Sequence, residues 1–205
     1  MRIGLISDTH MPRRAKAIPA EVLSAFAGVD LILHAGDLVV PQVLEPLERI
    51  APVIAVAGNN DPPEVAQRWG WQRVLELEGW RIGLVHGHEG KGPNTVARAL
   101  SHFPDCDVAV FGHSHSAYNE WHGRTLAVNP GSPTDLRRWS PGLSCGLLYL
   151  EPAGPRVEIR FLNRHDQYCS SFPQSGIPRP LRGWGFLQGV EERQQHGPGS
   201  REPPQ

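Results

Sequence analysis

The sequence predicts an α/β protein, a β-sandwich with helices outside. Two observations predict it. Short unbroken apolar runs, suited to strands covered on both faces, alternate with proline-initiated helical segments in the first third of the chain. Further along, apolar runs come in pairs around glycine turns, as in antiparallel hairpins. Mostly parallel strands are therefore expected first and antiparallel strands second, with helices outside.

In chain order, residues 2–7, 31–34 and 53–57 read as buried strands. Between them, helices begin near Pro19 (PAEVLSAFAG) and Pro41 (PQVLEPLERI), because proline is tolerated in a first turn, and the former stops at Gly28. This alternation implies right-handed parallel crossovers. Residues 74–78 and 80–85 flank Gly79 as a hairpin leading into HGH. A helix follows Pro93 (PNTVARALSHF), and a buried strand at 107–111 runs into GHSH. Strands at 118–122 and 125–128 surround Gly123, and strands at 144–151 and 157–162 surround the PAGP turn. One domain is expected over 1–165. The remainder, 166–205, is a Pro/Gly-rich tail expected to be flexible, with GWGFLQGV (183–190) the piece apolar enough to dock.

At 205 residues the chain is long enough for one domain with a substantial core. With 20 basic against 21 acidic residues it shows no general nucleic-acid or membrane surface. Its three cysteines, Cys106, Cys145 and Cys169, lack metal spacing and favour reduced thiols in the cytoplasm. The start MRIGLISDTH is too short an apolar stretch for a signal peptide, and no run approaches a membrane span.

Chemistry concentrates in five short motifs, each closing an apolar run. They are ISDTH (Asp8, His10), HAGD (Asp37), GNND (Asn59), HGH (His86) and GHSH (His113, His115). In an open α/β sheet, ligands gather past the carboxyl ends of strands, where these residues fall. Oxygen and imidazole donors without thiolate suit a pair of first-row divalent ions, which can clamp a phosphate and activate water. GD and GN are ordinary turn pairs and D-x-H alone is weak. The combination carries the signal.

Together, D-x-H, G-D, G-N-x-D, H-G-H and G-H-x-H resemble the calcineurin-like metallophosphoesterase superfamily, and the NPGSPTDLR stretch (129–137) resembles its small prokaryotic phosphodiesterase branch. The resemblance covers about residues 1–163 and implies a two-sheet mixed β-sandwich flanked by helices in four α/β/β/α layers. It implies one ion held by Asp8, His10, Asp37 and His115, and a second held by Asp37, Asn59, His86 and His113. Asp37 would be the bridging carboxylate. The family most often suggests manganese; nickel, cobalt, iron and zinc suit the same donors. A hydroxide bridging the ions would attack phosphorus in line.

Two departures from the phosphatase relatives favour a small phosphodiester substrate. Asn60 stands where they have a histidine that protonates the leaving group, and GDLVVP lacks their arginine after the bridging aspartate. Asn60 can donate a hydrogen bond but cannot usefully transfer a proton. Rival readings are a phosphomonoesterase and a non-enzymatic protein-binding scaffold of the same fold.

Other residues read more plainly. Asp61 either orients a histidine or water, or caps a turn. His34 reads as a packed histidine behind the site, and His88 either approaches substrate or caps the EGKGPN loop, which lacks P-loop spacing. Arg13, close after D-x-H, is the candidate contact to substrate phosphate; Arg137 and Arg138 read as a solvated loop. The tryptophans at 69, 71 and 80 suit core or interface, and His102, His122, His165 and His196 the surface. Exposed antiparallel strands could allow a homo-oligomer.

Overall fold

A computed structural model of the chain describes residues 1–162. The tail from 166, with its docking segment and expected flexibility, lies outside the described residues. The first sheet contains β1 (Arg2–Ile6), β2 (Leu31–His34), β3 (Val53–Ala55), β9 (Ser144–Glu151) and β10 (Gly154–Phe161), in the order β10-β9-β1-β2-β3. The second contains β4 (Gln72–Leu77), β5 (Trp80–Val85), β6 (Val108–Val110), β7 (Tyr118–His122) and β8 (Thr125–Asn129), in the order β4-β5-β6-β8-β7.

β1, β2 and β3 pair in parallel, with Leu5 opposite Leu33 and Leu33 opposite Ile54. This agrees with the expected parallel pairing. The expected division into parallel then antiparallel halves is corrected. The last hairpin returns to the first sheet, β9 lying antiparallel beside β1, while β5, β6 and β8 form a parallel centre in the second. Each sheet thus has a block of three parallel strands, at one side of the first and in the centre of the second, and each block delivers strand ends to the site.

Strand period sets the layers. Ile3, Leu5, Leu31 and Leu33 meet Ile82, Leu84, Val108, Val110, Leu126 and Val128 between the sheets. Ile6 and Ile32 face outward against α1 (Ala20–Ala25), a 3-10 turn (Pro41–Leu44), α2 (Glu45–Glu48) and α3 (Pro63–Trp69), through Val22, Phe26, Leu44, Leu47 and Val65. Val85, Ala109 and Ala127 face α4 (Thr95–His102) through Ala99 and Phe103. Burying each large apolar side chain contributes roughly 1.5–3 kcal/mol. Among the described residues no helix is long and apolar enough to cross a membrane.

Helix ends follow the expected chemistry only in part. Asn94 caps α4 by accepting from the Ala97 amide at 2.9 Å. α1 stops at Ala25, short of Gly28, which has positive φ in the following turn. The sequence reading missed α3, although Pro63 opens it and Gly70, at φ 73°, closes it.

Candidate metal centre

β1, β2 and β3 run in parallel beside one another, as do β5, β6 and β8, and the loops past their carboxyl ends meet. Asp8 follows β1, Asp37 follows β2, Asn59 follows β3, His86 follows β5 and His113 follows β6. Of seven non-glycine residues with positive φ among the described residues, five are candidate ligands: Asp8, His10, Asp37, His113 and His115. Left-handed backbone is costly for residues with a Cβ and gathers at functional sites.

These loops are joined to each other. The Asp8 amide donates to the Gly36 carbonyl at 3.0 Å and the His10 amide to the Asp37 carbonyl at 2.9 Å. Asp8 Oδ2 accepts from Ser7 Oγ at 2.7 Å and the His113 amide at 3.0 Å. Asp61 accepts from the amides of Asp37 (2.9 Å), Val39 (2.6 Å) and Gly58 (2.7 Å). Of the two roles left open for Asp61, the structure shows the turn cap, which holds Asp37 in its left-handed conformation.

The remaining lone pairs point inward. Ligand atoms of Asp8, His10, Asp37 and His115 lie within 4.8 Å of one another, and all four residues are buried. His10 Nε2 and His115 Nε2 are 3.2 Å apart, and their rings stack at 4.9 Å. Asp8 Oδ1 is 3.3 Å from His115 Nε2, and Asp37 Oδ2 is 3.4 Å from His10 Nε2 and 3.3 Å from His86 Nε2. One carboxylate oxygen therefore lies between two imidazoles. His86 Nδ1 donates to the Ala35 carbonyl at 2.8 Å, which turns Nε2 toward the carboxylates. His115 Nδ1 faces the Asp135 carbonyl at 3.2 Å with the same consequence.

This donor set fits a cation. Asp8 Oδ1 and His86 Nε2 are buried without a hydrogen-bond partner, a costly arrangement unless an ion joins them. Two donor atoms each about 2.1 Å from one ion, at ordinary coordination angles, are about 3.0–3.4 Å apart. The contacts of 3.2–3.4 Å above match that spacing. Electrostatics agree. Burial pushes the Asp8 carboxyl up to about 7 and the His115 imidazole down to about 4. Burial also works against the charged forms of Asp37 and His86, but their mutual contact outweighs it. Asp37, with added help from Asn60, stays well below the usual carboxylate range, and His86 rises to about 9. Without an ion the carboxylates hold a proton on His86, and a divalent ion would displace it.

The other two expected ligands form an outer flank. Half-buried His113 places Nδ1 3.1 Å from Asn59 Oδ1, with its ring 5.3 Å from that of His86. Asn60 donates to Asp37 twice, from its amide to Oδ1 at 2.8 Å and from Nδ2 to Oδ2 at 2.7 Å. In this conformation its side chain orients the carboxylate. Buried His34 accepts from the Gly36 amide on Nδ1 (3.2 Å) and meets Thr9 Oγ1 through Nε2 (3.1 Å), tying β1's loop to β2's. His88 lies beside His86 and the half-exposed Trp71, with ring centroids at 5.4 and 5.7 Å. Trp71 is thus not core.

Arg13 is exposed. Its neighbour Arg14 is the one that reaches Asp135, at 3.4 Å. Sequence reasoning also missed the buttress under the first motif. Ser132 Oγ donates to the Asp8 carbonyl at 2.7 Å and accepts from the Asp135 amide at 2.9 Å. Thr134 Oγ1 donates to the Thr9 carbonyl at 2.6 Å, and Asn129 Nδ2 to the Gly112 carbonyl at 2.6 Å. The NPGSPTD stretch was the available signal, but its hydroxyl contacts lie more than 120 residues away in sequence.

A four-layer sandwich with buried Asp/His donors at the mouth defines a metallophosphoesterase-type protein. The calcineurin-like phosphoesterase superfamily domain matches residues 1–152, and the chain belongs to that family. It is 37% identical over 176 residues to a Methanothermobacter thermautotrophicus protein named "Probable metallophosphoesterase", covering 83% of this chain and 97% of that one. It is 29% identical over 146 residues to a Methanocaldococcus jannaschii phosphodiesterase, covering 64% and 83% of the two chains. Among solved structures, Entamoeba histolytica Vps29 complexed with zinc is similar, at TM-score 0.65 and 26% identity over 78% of this chain and 91% of that one.

Proposed function

We propose that the protein is a binuclear-metal phosphodiesterase acting on a small phosphodiester. The observation that carries this reading is the convergence of five buried donor atoms, from Asp8, His10, Asp37, His86 and His115, on a space where two of them have no hydrogen-bond partner. Asp8, His10, Asp37 and His115 would hold one ion, and Asp37, Asn59, His86 and His113 the other, with manganese the favoured element. When bound, such ions supply a nucleophilic water at neutral pH and neutralise charge developing on the phosphate.

The chain's own residues do the rest. Asp37 serves both positions, and Asn60 and Asp61 fix its orientation. The His113–Asn59 contact sets the outer flank. Asn60 borders the site without a transferable proton, so esters whose leaving group departs unprotonated, such as aryl diesters, react best. The similarity to a named phosphodiesterase supports the diester assignment. The scaffold reading is disfavoured because all seven expected ligand positions carry competent donors.

The test is a metal screen on 4-nitrophenyl phosphate and bis(4-nitrophenyl) phosphate with manganese, nickel, cobalt and zinc. Metal-dependent turnover, faster on the diester and abolished by chelation, is expected. No turnover of either ester with any ion would favour the scaffold; faster monoester turnover would overturn the diester assignment.

A further inference from the structure

Two guanidinium groups meet at one carboxylate beside the cage. Arg14 Nε, from the loop after β1, and Arg137 Nη2, from the loop after β8, both lie 3.4 Å from Asp135 Oδ2. The Asp135 side chain is 9% exposed, whereas those of Arg14 and Arg137 are 54% and 52% exposed. Arg137 also lies 3.3 Å from both His115 ring nitrogens, Nε against Nδ1 and Nη2 against Nε2. Two matched contacts of this kind, with the guanidinium N–H groups directed at the ring nitrogens, set the edge of Arg137 against the His115 imidazole.

Residues 137 and 138 lie in an exposed loop, as expected, but Arg137 also touches His115 and Asp135. Arg138 does turn away, to within 5.1 Å of the Trp139 ring. Two cations sharing one carboxylate leave a local surplus of one positive charge at the mouth of the cage. Each guanidinium has five N–H donors, and neither hydrogen-bonds Asp135 Oδ2, which it meets only at ion-pair distance. Exposed ion pairs of this kind add little stability. A mere cover for His115 would need neither spare donors nor a second arginine.

We propose that Arg137, with Arg14 beside it, is a phosphate-binding arm of the site that grips non-bridging oxygens of the substrate. Arg137 would supply the grip that GDLVVP lacks. This rests on the phosphoesterase reading, and the experiment separates the two. Arg137→Gln, Arg137→Lys and Arg14→Gln are prepared in the full chain. Manganese affinity and orthophosphate binding to the manganese-loaded protein are measured by calorimetry, and KM and kcat on bis(4-nitrophenyl) phosphate by absorbance.

Arg137→Gln is expected to weaken orthophosphate at least about tenfold and raise KM similarly, with manganese affinity kept within about threefold. Arg137→Lys should recover only part of the loss, because a point charge lacks the planar fork. Arg14→Gln should act in the same direction, less strongly. Orthophosphate affinity unchanged in Arg137→Gln overturns the arm. Manganese affinity falling in step with phosphate also overturns it, making Arg137 a positioning residue for His115. A wild-type protein that binds manganese but neither binds phosphate nor hydrolyses the ester overturns the phosphoesterase reading itself.

Discussion

Replacing Gly112 by alanine tests whether loop approach builds the cage. A Cβ at that position would sit 1.8 Å from Ser7 Oγ, 3.0 Å from Ser7 Cβ and 2.7 Å from Asp8 Oδ2. Gly112 is outside the left-handed region, so the effect would be purely steric. An unstrained contact needs about 3.5 Å, so the two loops must part by roughly 1.5 Å or Ser7 must rotate. Ser7 is fully buried, and rotation would break its 2.7 Å bond to Asp8 while leaving the methyl against Asp8 Oδ2. Either way Asp8 moves relative to His10 and His115, in a cage whose donors are 3.2–3.4 Å apart. We expect manganese affinity to fall about 10–100-fold and metal-free stability to fall by about 1–3 kcal/mol. Calorimetric titration and thermal melts read these out. Adding Ser7→Ala removes the 1.8 Å clash but not the 2.7 Å one, so it should restore part of the affinity. Wild-type manganese affinity in Gly112→Ala would refute the reasoning.

Two further outcomes follow from the same loops. Asp61→Asn keeps one acceptor oxygen but turns an NH2 toward backbone amides that donate to Asp61 now, so a loss of about 2–3 kcal/mol is expected in urea unfolding; unchanged stability would deny the cap. Burial, and then the His86 charge, lower the His34 imidazole from 6.5 to about 3, so as pH falls through that window the unfolded chain takes up a proton that the folded chain refuses. Metal-free stability should therefore drop by roughly 1.4 kcal/mol per pH unit below about 6.5 from this group. In His34→Asn, which keeps an acceptor for the Gly36 amide, the acid slope should be shallower between pH 6.5 and 5; an equal slope would show that His34 is not its source.

Elements were legible where composition and boundary agree. Residues 31–34 and 80–85 were bounded correctly because their apolar runs end at a glycine turn or at the site itself. Sheet order was not legible, because β9 pairs with β1 across most of the chain and no local pattern encodes the partner. One signal was under-read. β9 is buried at its first five residues, as suits an interior strand rather than an edge. α3 escaped because DPPEVAQRWG resembles a turn until Val65 is seen packing against the first sheet's helices.

The site divides differently, and backbone conformation explains how. Five of the seven proposed ligands sit in left-handed backbone, and Asp, Asn and His are the side-chain-bearing residues most often found there. Chemistry and conformation thus select the same letters, which is why D-x-H, G-D and G-H-x-H could be read directly. At about 1–2 kcal/mol for each left-handed residue, five would oppose folding by an amount comparable with a domain's whole stability. Asp61, Ser132 and Thr134 offset part of that through bonds to the same loops. None of the three is a ligand, and their partners have no fixed spacing. The direction of a side chain in such loops has no period either, so Arg13 and Arg14 are equivalent as letters while only Arg14 reaches Asp135. The remaining opposition falls on the donor cluster itself, where ion binding is linked to folding. An ion bound by those donors would therefore offset part of the backbone cost of the loops that carry them.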